Sequence, residues 1–303
     1  MLLPSQTSVP GLLLIRGLGH SGSTVLDLAL GAHPQLLGLG EAVRVLTTPP
    51  PAEWKSVPAQ LRDHRRHQRR CTCGATAADC AVWGPVLDDL AARDQETLSI
   101  KLNRLIEQAL SVEQGPGLRW LVESYQADRT LFRDLVTLQQ QQRPLKVLFL
   151  VRDVRSWVHS EACRGLERRG RRTLVAFRAL FRWWKENGRL ERLLHATDVD
   201  SFTLGYEELA LAPQQALEHL CSWLGVSFDD SMLSPGSCSR SHLVEGNRMR
   251  FDPERNQSIR YDGAWLASSS SALQVSLLLP PVAAMNQRLV YSNGLLGRVW
   301  PPK

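Results

Sequence analysis

The sequence predicts an α/β domain, a three-layer α/β/α arrangement around a central parallel sheet, and three observations carry that reading. Apolar residues 11–15 run directly into a glycine-rich turn and then a helix-like segment. Residues 146–151, Lys146-Val147-Leu148-Phe149-Leu150-Val151, form a second apolar, β-branched run after Pro144. It is the right length for a buried strand and too short for a helix. Along the chain such runs alternate with helix-length amphipathic segments, which is the pattern of parallel strands joined by helical crossovers.

The elements follow in order. The first strand covers 11–15 and its helix 23–31, with Ser23 or Thr24 suited to satisfy the open N–H groups of the first turn. Residues 36–39 read as a second strand. Residues 47–58 carry Pro49, Pro50, Pro51 and Pro58 and read as a loop, and the His/Arg run 62–70 as a solvated, possible helical face. Residues 98–110 have the i, i+4 spacing of a packed helix. A third strand covers 120–122, a glutamine run at 139–142 marks a helix end, and 143–151 is the next strand. Residues 172–196 make a long amphipathic helix whose Trp183 and Trp184 read as core. A strand at 202–206 precedes a helix at 212–225, with Pro213 in its first turn and Gly225 as its stop. After Pro235 the chain is rich in Gly, Ser, Asn and Arg, which suits a loop folding over a ligand, and a less informative tail starts at 268–271.

With 303 residues and 43% hydrophobic content the chain can bury one sizeable core. It is read as a single domain, 1–303, with its core at about 11–268 and an insertion at about 47–97. The formal net charge of +6 fits a polyanionic ligand. No aromatic-interleaved platform for RNA is present, so no nucleic-acid partner is expected. No run of 18 apolar residues exists, and the stretch before residue 11 is too short for a secretory signal, so no stable membrane insertion and a cytoplasmic location are expected. Of six cysteines, three cluster at Cys71, Cys73 and Cys80. Plain reduced thiols are the expected reading. A zinc site with His64 and His67, or a disulfide, stays open beside it, because Cys-x-Cys is not the usual zinc step.

The turn after the first strand has the chemistry of a phosphate cradle: backbone N–H groups and a helix N-terminus gather at one point. Gly17 and Gly22 have the spacing of the G-x-x-x-x-G-K-[ST] pattern, yet Ser23 and Thr24 follow and the lysine is missing. A cradle without that lysine argues for a nucleotide other than ATP or GTP. The strand at 146–151 delivers Arg152, whose guanidinium is a rigid fork of donors for phosphate oxygens. Taken alone, Arg152 reads equally as a surface ion pair. If a helix starts near Asp153, Ser160 lies about two turns on. Both motifs follow strands, and ligands of parallel sheets bind at the carboxyl ends of the strands.

Together these stretches resemble the sulfotransferase superfamily that uses 3′-phosphoadenosine-5′-phosphosulfate (PAPS), in its bacterial form. The resemblance implies a P-loop-NTPase-like sulfotransferase fold, PAPS as co-substrate, adenosine 3′,5′-bisphosphate (PAP) as product, and no metal requirement. It places the 5′-phosphosulfate on Gly19, His20, Ser21, Gly22, Ser23 and Thr24, and the 3′-phosphate on Arg152 and Ser160. Ala32-His33-Pro34-Gln35, Gly40-Glu41, the Cys71-Thr72-Cys73-Gly74 segment with Cys80 and Trp83, and Tyr206-Glu207-Glu208-Leu209 with Trp223-Leu224-Gly225 extend it. Tyr206 is implied to lie against the adenine. Residues 246–250 and 259–265 resemble the C-terminal loop, about 236–268, that closes over the donor, with Arg248 and Arg250 as candidate clamps.

Two departures bear on chemistry. His20 falls where the family has a loop lysine or arginine that stabilises the leaving group, and a histidine beside a phosphate is expected to have a raised pKa and act as a cation. Glu123-Ser124-Tyr125-Gln126 stands where many bacterial members have DSSK, leaving Arg16, Arg44 or Arg129 as replacements for the second basic group. Glu41 is the candidate general base, although the tyrosylprotein enzymes place theirs at the position of Ala42; a structural carboxylate is its alternative, and His159 and Glu123 are weaker bases. The expected reaction is sulfuryl transfer to a hydroxyl or amine of a small-molecule or glycan acceptor. A non-catalytic PAPS- or PAP-binding protein is the alternative, and a P-loop kinase, lacking lysine at position 23, a more distant one. The basic stretch 164–172 reads as a solvated loop.

Overall fold

A computed structural model describes residues 9–47, 67–90, 92–93, 95–113, 117–125, 136, 143–169 and 172–296. Five strands form the predicted sheet: β1 (Gly11–Gly17), β2 (Leu36–Gly38), β3 (Trp120–Glu123), β4 (Leu145–Val151) and β5 (Ser201–Gly205), in the order β2-β3-β1-β4-β5. The pairs β1–β3, β2–β3 and β4–β5 are parallel, with Gly11 opposite Trp120 and Val147 opposite Ser201. Every residue of β1 is buried, and β4 is buried except at Lys146. That is why these strands read as continuous apolar runs rather than alternating ones: a parallel strand with both faces covered has no polar side.

The chain divides into two compact units, each built from three stretches. The first comprises Met1–Leu14, Thr24–Lys146 and Asp229–Ser258. It holds most of α1 (Ser23–Ala32), α2 (Ala42–Leu46), α3 (Gly84–Leu90) and α4 (Leu98–Val112), whose cap Thr97 accepts from the Ile100 N–H. The second comprises Ile15–Ser23, Val147–Phe228 and Ile259–Lys303. It holds α5 (Val154–Arg169), α6 (Arg172–Thr197), α7 (Tyr206–Leu211) and α8 (Pro213–Leu224). Pro213 opens α8 and Gly225, at φ 73°, closes it, with the Val226 N–H returning to Cys221 and that of Gly225 to Ser222.

Several sequence expectations need correction. The tail after 268 is structured: after α9 (Pro235–Cys238), the chain forms α10 (Ser271–Ser276) and α11 (Pro280–Val290). Tyr206 does not end a strand but begins α7, because the strand gives way at Gly205. Trp183 is fully buried as core, whereas Trp184 is 38% exposed, since adjacent helical positions face different directions. The 236–268 loop is shared, its part up to Ser258 in the first unit and the rest in the second. The proline-rich stretch and His64 fall largely or wholly outside the described residues.

α11 is docked through backbone as well as side chains. A Cβ at Gly205 would collide with the Val290 carbonyl oxygen. Gly205→Ala is therefore expected to destabilise the protein by about 1–3 kcal/mol through overpacking, measured by urea unfolding, with the loss concentrated in hydrogen-exchange protection of α11.

Candidate active site

In the second unit β1 ends at Gly17, where a Cβ would strike the Leu150 carbonyl oxygen, so the turn can hug β4 only as glycine. The turn reverses through His20, a non-glycine residue at φ 69°, and Gly22 at φ 96°. Backbone strain of this kind persists where surrounding contacts over-determine it, and here they are visible. The Gly19 carbonyl accepts from the Trp157 indole N–H at 2.8 Å, and the His20 carbonyl from Arg152 Nη1 at 2.9 Å. The Leu18 carbonyl accepts from the Ser21 N–H at 3.2 Å. Three successive carbonyls are thus occupied on the protein side of the loop. The Tyr206 ring covers Gly22, leaving no room for a side chain there.

Arg152, at the end of β4, is the centre of this arrangement. Its side chain is only 9% exposed. Nε donates to Ser156 Oγ at 2.8 Å and Nη2 to Asp262 Oδ2 at 2.6 Å, and its guanidinium lies 5.4 Å from the Tyr206 ring centre. Its own carbonyl accepts from the buried Trp183 indole at 2.9 Å. The segment around Asp262 is fastened further by Trp265 beneath Arg155, 4.3 Å from the ring centre, and by Tyr206 Oη donating to the Arg260 carbonyl at 2.8 Å. Burial would raise the Asp262 carboxyl, but the Ala264 N–H and Arg152 hold it below its usual value.

The next residue, Asp153, anchors the whole edge. Its carboxylate accepts from Arg155 Nε and Nη2 at 2.9 Å, and from Asn286 Nδ2 and Tyr291 Oη at 3.0 Å. Burial alone would raise Asp153; the Arg155 hydrogen bonds and charge outweigh it and keep the carboxyl ionised. Glu207 accepts from the Asp153 N–H at 2.8 Å, and burial, with the Asp153 charge beside it, pushes Glu207 up to about 8.

His20 departs from expectation. With the protein's own groups alone its pKa is lowered: burial disfavours the cation, Arg164 adds to that, Glu161 at 4.0 Å opposes, and Arg152 and Arg182 push down again. The imidazole sits in a basic neighbourhood that an anion would reverse. Ser160 stands one turn beyond Ser156 on α5, half-buried, so the nearest hydroxyl to Arg152 is Ser156 rather than Ser160. His159 lies on the same helix, 3.7 Å from the Cys163 sulfur.

In the first unit, Thr24 Oγ1 accepts from the Asn247 N–H at 3.4 Å, and Gly246, at φ 121°, lies over Thr24 and Glu41. Glu41 is paired with Arg44 at 3.1 Å. Glu123 does the structural task considered for Glu41: its Oε1 accepts the N–H groups of Val43 and Tyr125 at 3.1 and 3.0 Å. Arg250 folds back onto its own loop, donating to the carbonyls of Gly246, Asn247 and Val244, while Arg248 is exposed. Arg16, in the second unit, is buried and bonds the Ile15 carbonyl; Arg129 and Gln126 lie outside the described residues. Asp27 is fully buried, accepts from Ser124 Oγ at 2.8 Å, and is pushed up to about 8 by burial, with the Glu123 charge adding to it. The candidate residues therefore fall into two groups: Gly19, His20, Ser21, Gly22, Ser23, Arg152, Ser160 and Tyr206 in one unit, and Thr24, Glu41, Arg248 and Arg250 in the other.

Comparison with known proteins agrees with this architecture. The sulfotransferase family model matches residues 12–230, and the chain belongs to that family. Among solved structures it is similar to the sulfotransferase domain of the Synechococcus PCC 7002 olefin synthase, at 19% identity and TM-score 0.56, covering 93% of this chain and 96% of that one. It is also similar to the sulfotransferase domain of the curacin biosynthetic pathway, at 19% identity and TM-score 0.56, covering 89% and 97%. At those identities the likeness is one of fold. No curated protein matches the chain in sequence.

The buried carboxyls give a pH signature. A carboxyl raised to about 8 stays protonated in the folded state while its unfolded counterpart ionises near 4, so stability falls as pH rises between those values. Asp27→Asn should remove one such group. Urea unfolding between pH 5.5 and 7.5 should show a slope shallower than wild type by up to about 1.4 kcal/mol per pH unit.

Proposed function

We propose that this sulfotransferase takes its sulfuryl group from PAPS and transfers it to a hydroxyl or amine of a small-molecule or glycan acceptor. The observation that carries the reading is the Arg152 fork, which reaches the strained phosphate loop at the His20 carbonyl while an acidic oxygen, Asp262 Oδ2, occupies its outer nitrogen. A guanidinium that holds a carboxylate there has the charge and geometry to hold a phosphate oxygen.

In this reading the loop N–H groups and the hydroxyls of Ser21, Ser23 and Thr24 take the 5′-phosphosulfate, and Arg152 with Ser160 the 3′-phosphate. Tyr206 borders the adenine from its seat on Gly22. The bond between sulfur and the 5′-phosphate oxygen breaks, and its electron pair remains on that oxygen. The acceptor heteroatom bonds to sulfur and gives its proton to a base, for which Glu41, at the loop after β2, is the candidate. The growing charge on the leaving phosphate is met by loop donors and by His20. Binding an anion beside His20 counters the flanking arginines and raises its pKa, so the imidazole is converted to a cation by the ligand it serves.

Titration calorimetry with PAP tests the donor. Arg152→Ala should weaken binding by about 2–5 kcal/mol, while Asp262→Asn, which removes the competing carboxylate, should tighten it several-fold. Magnesium-ATP bound more tightly than PAP would overturn the reading in favour of a kinase. In turnover with PAPS across an acceptor panel, His20→Ala should lower kcat about 10²-fold and Glu41→Gln about 10²–10⁴-fold, with donor KM little changed. Wild-type protein that binds PAP but turns over none of the acceptors would favour the non-catalytic reading.

A further inference from the structure

The first unit gathers four metal-ligating side chains. The sulfurs of Cys71, Cys73 and Cys80 and a ring nitrogen of His242 all lie within 4.8 Å of one another. Cys71 and Cys80 are 1% exposed and His242 is buried, whereas Cys73 is at the surface. None of the cysteines is in a disulfide. We propose that Cys71, Cys73, Cys80 and His242 bind a structural zinc ion in a closed Cys₃His site.

Chemistry and geometry both support this. Nδ1 of His242 is 3.2 Å from the Cys80 sulfur and 3.8 Å from the Cys71 sulfur. One imidazole nitrogen can make one hydrogen bond, so two sulfurs converging on it are poorly explained by hydrogen bonding. A cation takes all of them at once, and ligands about 2.0–2.3 Å from zinc in a tetrahedron stand roughly 3.5–3.8 Å apart. The other ring nitrogen, Nε2, faces Glu113 Oε1 at 3.6 Å. A carboxylate on that side favours the proton on Nε2 and leaves the Nδ1 lone pair for the sulfurs, the sense of the carboxylate–histidine–zinc arrangement. Three thiolates with one imidazole are a soft donor set suited to zinc, and four protein ligands leave no open position.

The surroundings hold these ligands in place. Gly74, at φ 96°, lets the chain turn tightly after Cys73, with its N–H bonded to the Cys71 carbonyl at 3.0 Å. The Thr72 hydroxyl bonds the Ser241 carbonyl and accepts from the Leu243 N–H at 2.9 Å, and the Trp83 indole donates to the His242 carbonyl at 2.7 Å. Both neighbours of His242 are therefore tied to the cysteine loop. His67, considered as a ligand from sequence, pairs instead with Asp88 at 3.4 Å. The ion would rivet residues 239–245 to the cysteine loop, at the root of the segment that lays Gly246 over Thr24 and Glu41.

The test is metal analysis of the full chain, purified without chelator from zinc-supplemented cells. About one zinc per chain, with cobalt exchange giving the thiolate charge-transfer and intense ligand-field bands of a tetrahedral site, is the expected result. Cys73→Ser, at an exposed position, should keep the fold by circular dichroism yet cut bound zinc at least tenfold. Glu113→Gln should weaken zinc affinity about 10–100-fold. Chelation should lower Tm and make the Cys73 thiol reactive beside Cys163 and Cys238. Protein that is metal-free with an unchanged Tm, that holds a disulfide among these cysteines, or in which Cys73→Ser retains full zinc, would overturn the proposal.

Discussion

The Asp153 carboxylate accepts from Arg155, Asn286 and Tyr291, and its backbone N–H is bonded by Glu207. The start of α5, α11 and the chain just after it therefore converge on one buried charge, with the start of α7 on the N–H beside it. Such a charge is tolerated only when its lone pairs are filled by good donors, which obliges all of these segments to be in place together. The positions of Arg152 and Val154 on either side follow from it: the Val154 N–H is bonded by Asn286, and the Arg152 carbonyl by Trp183.

Upon that anchor rests the turn after β1. Arg152 and Trp157 hold the carbonyls of His20 and Gly19, so the strain of a left-handed His20 is borne by β4 and α5 rather than by the loop alone. Electrostatics in this region are unbalanced by design of position: His20 is flanked by Arg152, Arg164 and Arg182 against Glu161. Asp262 offsets part of that positive charge at Arg152. Burial first and the flanking arginines second lower the His20 pKa, and an anion beside it would oppose the arginines' share.

In the first unit a similar division of labour separates structure from surface chemistry. Glu123 is committed to the N–H groups of Val43 and Tyr125, and Asp27 to the Ser124 hydroxyl, both in full burial. Glu41 is half-buried and pairs with the exposed Arg44. The bracing of Arg250 on three carbonyls of its own loop makes it a support for Gly246 rather than a projecting cation. Hydrogen bonds with Thr72 and Trp83 hold the other end of that loop at residues 241–243.

What the sequence by itself determined is local. The apolar runs of β1 and β4, the glycines of the turn, the stop at Gly225 and the arginine after β4 are all specified by neighbouring residues, because period, turn conformation and capping act over a few positions. The sheet class and the candidate phosphate residues were legible for that reason. Only the tertiary structure decided the partners. Asp262 meets Arg152 across 110 residues, Asn286 meets Val154 across 132, and His242 meets Cys80 across 162. The serine-rich approach to α10 and α11 hid the helix that supports Asp153, and nothing near the cysteines in sequence pointed to His242, the histidine that lies among them in space. A hydrogen bond or a ligand set depends on atoms a few ångströms apart, and nothing in the spacing along a chain states which distant segments the burial of apolar surface will bring to that distance.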